Sequence, residues 1–167
     1  MRTNFLLAPV LALAFGLALA QNVAAADDFR EIAVPPPPAY RLEGLIAIDM
    51  PSSSELKFGV DPATMSIGSD GVVRYVMVAY SASGSVNAMY EGLRCASGEV
   101  KTYARSSELG HWTVVNEPPW RAVDKSPSTR HTLALAKQGV CDGWTLAARN
   151  APDLIRLLRT PRTNQGY

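Results

Sequence analysis

The sequence predicts an α+β domain: an antiparallel β-sheet meander with two C-terminal helices packed on it and one disulfide. Three observations predict it. Between Leu45 and Arg105 the chain runs as short segments rich in β-branched and aromatic residues, separated by clusters of Gly, Ser, Asp and Pro, which is how strands joined by tight turns read. From Ser126 onward the apolar residues take helical spacing instead, with Leu133, Leu135 and Ala136 in one segment and Leu154, Ile155, Leu157 and Leu158 in another. The only two cysteines, Cys95 and Cys141, lie one in each half.

The first 26 residues read as a secretory leader. Arg2 is followed by an uncharged run from Phe5 to Ala20 that Pro9 and Gly16 interrupt. That run is short for a membrane-crossing helix, which takes about 20 apolar residues. Ala24 and Ala26 form an A-x-A cleavage site ahead of Asp27 and Asp28. Cleavage is expected after Ala26, with Ala18-Leu19-Ala20 as a second fit. The expected location is the periplasm, with no stable membrane span after cleavage and peripheral outer-membrane association left open. The leader holds one basic residue and no acidic one, so the chain's 16 Lys+Arg and 15 Asp+Glu become 15 of each without it. Balanced, dispersed charge argues against nucleic acid as a partner, which calls for a concentrated basic patch. It also argues against a basic amphipathic membrane helix.

Asp27 to Tyr40 is a proline-rich extended arm. The run VPPPPAY removes backbone donors and fixes polyproline extension, and reads as a stiff lead-in to a domain over residues 41–160. The tail, residues 161–167, reads as disordered.

Within the domain, Leu45–Ile48, Leu56–Val60 and Met65–Ile67 read as short strands, and Gly68-Ser69-Asp70-Gly71 as a hairpin turn. Val72 to Tyr80 (VVRYVMVAY) is apolar on both faces apart from Arg74, which places it centrally. Val86 to Cys95 follows, with Met89, Leu93 and Cys95 on one face. After the Ser97-Gly98 turn, Val100 to Arg105 sets Lys101, Tyr103 and Arg105 against Val100, Thr102 and Ala104. Trp112–Val115 is one more strand, and Pro118-Pro119-Trp120 breaks the pattern. Ser126 as N-cap and Pro127 in the first turn open a helix that stops at Gly139. Asn150 caps a second helix, which Pro161 ends.

In an oxidising compartment Cys95 and Cys141 are expected to pair. The chain-entropy model gives such a loop about 4 kcal/mol, a large share of the ~5–15 kcal/mol that holds a domain. The bond would clamp the end of the first helix to the strand carrying Cys95. A catalytic thiol with His111 or His131 as base is the competing role. Neither histidine forms a motif with the cysteines, and no C-x-x-C spacing or metal-ligand cluster is present in the sequence.

Other chemistry finds little footing. SASGSV lacks a nucleophile elbow, and no glycine-rich loop leads from a strand into a helix. Glu91 and Glu99 flank the Cys95 turn and read as exposed strand carboxylates. No catalytic residue, metal site or cofactor is expected. Trp112, Trp120, Arg121 and Tyr103 are the candidate binding surface, the alternative being that the aromatics close the end of a small core; Trp144 is the third tryptophan. The expectation is a non-enzymatic binding or structural module of the cell envelope, whose partner is an envelope protein or ligand. The alternative is a small envelope enzyme using a carboxylate or Cys/His site.

The stretches GSDGVVRY, YEGLRC and WRAV, in this order and spacing, resemble the CNP-one-like (cryptic neisserial protein-like) family of small exported bacterial proteins of unknown function. The resemblance covers Leu45 to Cys141. It implies an exported, periplasmic protein and assigns no catalytic residue.

Overall fold

The computed structural model describes residues 28–51, 54–108 and 110–160. The leader, its cleavage site at Ala26 and the tail 161–167 lie outside the described residues. In chain order the elements are β1 (Ile46–Ile48), β2 (Lys57–Val60), β3 (Ser66–Ile67), β4 (Val73–Tyr80), β5 (Val86–Arg94), β6 (Glu99–Glu108), β7 (His111–Val114), β8 (Arg121–Ala122), α1 (Arg130–Leu135), β9 (Cys141–Asp142), β10 (Thr145–Leu146) and α2 (Ala151–Arg159). The main sheet is an antiparallel meander ordered β1-β2-β4-β5-β6-β7, with β3 also on β4 and β8 also on β6. The two-faced apolar strand β4 is indeed central, and Val73 to Ala79 are all buried.

Alternation on β4 and β5 sorts side chains into two cores. On the helix side, Phe58, Val60, Val73, Tyr75, Met77 and Leu93 pack with Leu135 and Val140 and with Leu154 and Leu158 of α2. On the other side, Val76, Val78, Ala88, Tyr90, Tyr103 and Ala104 pack with Tyr40 of the arm. The arm therefore lies along this second face. Its prolines have no N–H to satisfy, so it can cover a sheet face without a ladder of partners. The anchors it does need come from elsewhere. The Glu31 carboxylate accepts from Lys101 Nζ and the Tyr103 hydroxyl, both at 2.6 Å. Trp112 Nε1 donates to the Pro38 carbonyl at 3.1 Å, and Ile32 N–H donates to Asp70 at 3.1 Å.

Three local expectations are corrected and one short strand is added. On β6 the register shifts, Tyr90 facing Ala104 and Glu91 facing Thr102. Tyr103 is the extra residue of a bulge, so it joins Ala104 on the arm face instead of alternating against it. The first helix begins at Arg130 with Thr129 as N-cap, not at Ser126. The Asp124 carboxylate accepts from Ser126 N–H and Thr129 Oγ1 at 2.9 and 2.7 Å, and this organises residues 124–129 as a turn. The Ser126 hydroxyl first, then the Thr129 hydroxyl and the Ser126 N–H, hold the Asp124 carboxyl below its ordinary value. The strand expected from Trp112 to Val115 begins one residue earlier, at His111, and Arg121–Ala122 forms the short strand β8 beyond the prolines.

Beyond α1 the chain makes a π turn over Ala136–Val140, broken at Gly139 (φ +153°), before entering β9. The turn aims Gln138 at the sheet, where its side-chain amide donates to Ala47 O at 2.8 Å and accepts from Asp49 N–H at 2.9 Å. Three residues later Cys141 is bonded to Cys95, with Cα atoms 5.6 Å apart. The bond joins the end of this helical segment to the end of β5, as the sequence predicts.

Candidate functional site

A buried polar cluster lies beneath α1. Glu91 shares the helix face of β5 with Met89 and Leu93, and it is 1% exposed. Its carboxylate accepts from the Tyr75 hydroxyl at 3.1 Å, from Thr102 Oγ1 at 3.2 Å and from Thr132 Oγ1 at 3.4 Å. His131 Nε2 stands 3.1 Å from both carboxylate oxygens. The Phe58 ring stacks on the imidazole, centroids 5.2 Å apart. Consecutive residues of α1 supply His131 and Thr132, and the β6 bulge puts Thr102 opposite Glu91. Burial, then the adjacent Glu91 carboxylate, push the Tyr75 hydroxyl far above its ordinary value, so it stays protonated and donates.

Four donors match the roughly four lone-pair directions a carboxylate offers. The arrangement acts as a polar strut between sheet and helix. Glu91 is thus not the exposed strand carboxylate expected from sequence, and the signal was available: it alternates in phase with Met89, Leu93 and Cys95. Glu99 faces the other side, bound to Arg94 at 3.2 Å, so the two carboxylates do not meet. With Cys95 in a disulfide, a Cys95–His pair has no thiol either.

The tryptophan surface divides. Tyr103 is 6% exposed and belongs to the core, with its hydroxyl on Glu31; burial, then that bond, raise its pKa. Trp112 is half-buried against Tyr40, centroids 5.4 Å apart. Trp120 is half-buried edge-on to Phe29, and Lys101 Nζ stands 4.8 Å from its centroid. Arg121 is exposed at the sheet edge. The structure therefore joins Trp112, Trp120 and Tyr103 to the arm and leaves Arg121 facing solvent.

Trp144, the third tryptophan, which stood outside the candidate surface of Trp112, Trp120, Arg121 and Tyr103, is 71% exposed. It sits in the turn between β9 and β10 and helps line a pocket of about 350 Å³ with Leu93, Cys95, Val123, Leu133, Ala136 and Cys141. The indole rests on the Cys95–Gly98 turn; a Cβ at Gly98 (φ +62°) would lie 3.0 Å from its ring.

The family model that matches the chain describes the CNP1-like family and spans residues 24–159. The chain belongs to the CNP1-like family. The match takes in the arm as well as the sheet and both helices. No curated protein and no solved structure matches significantly. The stretches that carried the resemblance have structural work in this CNP1-like chain. In GSDGVVRY, Asp70 pairs with Arg74 at 2.7 Å. In YEGLRC, Glu91 anchors the polar strut, a Cβ at Gly92 would collide with the Tyr103 ring, and the Arg94 guanidinium lies 3.4 Å over the Phe29 ring. In WRAV, Trp120 meets the arm and Val123 lines the pocket.

Proposed function

We propose that this CNP1-like protein is an exported, non-enzymatic binding module of the bacterial cell envelope. One contrast carries the reading. Glu91, His131 and Tyr75 are bonded to one another inside the fold and Cys95 is bonded to Cys141, whereas Trp144 and its apolar pocket face outward. Exposed aromatic area beside a preformed apolar pocket suits recognition. The disulfide fits an oxidising compartment, and the leader read from residues 1–26 supplies the route to the periplasm.

The test has two parts. Intact mass of chain recovered from periplasmic extract should place the N-terminus at Asp27, with both cysteines resistant to alkylation until reduced. A photoreactive residue at position 144 should then form adducts with an envelope component in living cells. A chain retained in the cytoplasm with its leader, or one exported that forms no adduct, would overturn the reading. The alternative, a small envelope enzyme, draws on His131, which borders a groove lined by Phe58, Met89, Ser106 and Ser128. Turnover abolished by His131→Gln in a still-folded chain would favour it.

A further inference from the structure

We propose that the pocket beside the disulfide binds the hydrocarbon chain of a single-chain amphiphile with an anionic head. This deepens the binding-module reading and rests on it. The pocket's volume of about 350 Å³ is at the lower end for ligand sites, which suits one chain rather than two. Its walls are Leu93, Val123, Leu133 and Ala136, the disulfide and the Trp144 indole. A ligand with buried hydrogen-bonding groups would lose its water partners there and find few replacements. A hydrocarbon loses none, and it also covers apolar surface on Trp144 that now faces solvent.

The head group follows from charge. Among the described residues lining the pocket, Lys137 is the one charged side chain, and it is exposed. It already has an interaction within the fold, and its ammonium attracts an anionic head over and above that interaction. A cationic head meets repulsion at the same place. The site is also held firm. The Cys95–Cys141 bond forms part of the wall, Gly98 lets the indole lie close over its turn, and Val123 N–H donates to Gly98 O at 2.8 Å.

The experiment uses the full oxidised mature chain and dodecanoate below its micelle-forming concentration, with dodecyltrimethylammonium as the cationic control. Dodecanoate should give a saturable blue shift of tryptophan emission and a rise in Tm, and Trp144→Phe should remove the emission change. Lys137→Glu should weaken dodecanoate by roughly fivefold, as a rim charge contact implies. Val123→Phe and Ala136→Phe each fill the pocket and should abolish binding, with circular dichroism and thiol count confirming the fold. The proposal fails if dodecanoate gives no saturable shift, or if binding survives in a folded pocket-filling variant. Failure here together with adducts from position 144 in cells would remove the amphiphile and leave the binding module. Absence of both would remove the two together.

Discussion

Replacing Glu91 by Gln tests the polar strut directly. The substitution keeps the shape and converts one acceptor oxygen into an NH2. The Tyr75 and Thr102 hydroxyls, the Thr132 hydroxyl and His131 Nε2 all stand within 3.4 Å of the present carboxylate. An amide oxygen can serve about two of these four, and the NH2 is satisfied only if the others turn to accept from it, which gives up the bonds they now donate. A buried donor left without its acceptor costs about 1–3 kcal/mol. The threonine hydroxyls can rotate toward other acceptors, which leaves an expected loss of about 2–4 kcal/mol. This is close to the ~3–5 kcal/mol that follows removal of one partner of a buried pair. Against a total of ~5–15 kcal/mol it is a large fraction. At about 3–4 °C per kcal/mol for a chain of this size, Tm should fall by roughly 10 °C. The assay is urea unfolding of the oxidised chain followed by far-UV circular dichroism, with Glu99→Gln as control. Glu99 is partly exposed beside Arg94 and its loss should cost under about 1 kcal/mol. If Glu91→Gln shifts stability by no more than Glu99→Gln at unchanged m-value, the four-donor account is refuted.

Three other outcomes follow from the same structure. Cys95→Ser should cost about 4 kcal/mol in urea unfolding, set by the 46-residue separation of the bonded cysteines; a loss below about 1 kcal/mol would mean that the unfolded chain is already compact. For Asp70, burial alone would raise the pKa, but the Arg74 guanidinium and the N–H groups of Ile32 and Val72 outweigh it and hold the carboxyl below its ordinary 3.8. Its contribution is therefore full above pH 3.8 and lost as pH falls through the lower folded value. The stability gap between wild type and Asp70→Asn should be flat at neutral pH and close on acidification; a gap that widens in acid would contradict the assignment. Glu31→Gln should weaken the arm's hold on Lys101 and Tyr103 by about 1.5–3 kcal/mol and speed proteolysis between Phe29 and Tyr40, while a cleavage rate equal to wild type would show that the prolines alone hold the arm in place.

The sheet was legible where a single strand carries its own evidence. Val73 to Ala79 advertise a central position because both faces are apolar, and Gly68 to Gly71 advertise their turn. The disulfide was legible because two cysteines admit one pairing. Glu91 was half-legible, its phase correct and its charge misleading. A carboxylate inside a core becomes intelligible only once Tyr75, Thr102, His131 and Thr132 are known to converge, and these come from three separate elements. The docking of the arm left no periodic trace. Glu31 meets Lys101 across 70 residues and Trp112 meets Pro38 across 74, and polyproline segments look alike whether free or packed. The start of α1 was displaced because Ser126-Pro127 reads as a cap and first turn, and a competing local bond from Thr129 back to Asp124, five residues away, holds this stretch as a turn instead.

The side-chain amide of Gln138 binds the Ala47 O of β1 and the N–H of Asp49 just past its end, the pair that one residue of a neighbouring parallel strand would take with its own N–H and C=O. It is a one-residue counterfeit of another strand. The outer border of the sheet, which would otherwise invite a second molecule to continue it, is closed by a borrowed peptide-like group. The same amide reaches Leu158 O at 3.3 Å, so the end of α2 shares the closure. Because Gln138 lies three residues before Cys141, the covalent bond to Cys95 fixes the segment from which the counterfeit is offered. Oxidation of this chain therefore completes a boundary as well as a core: it helps decide where the sheet stops.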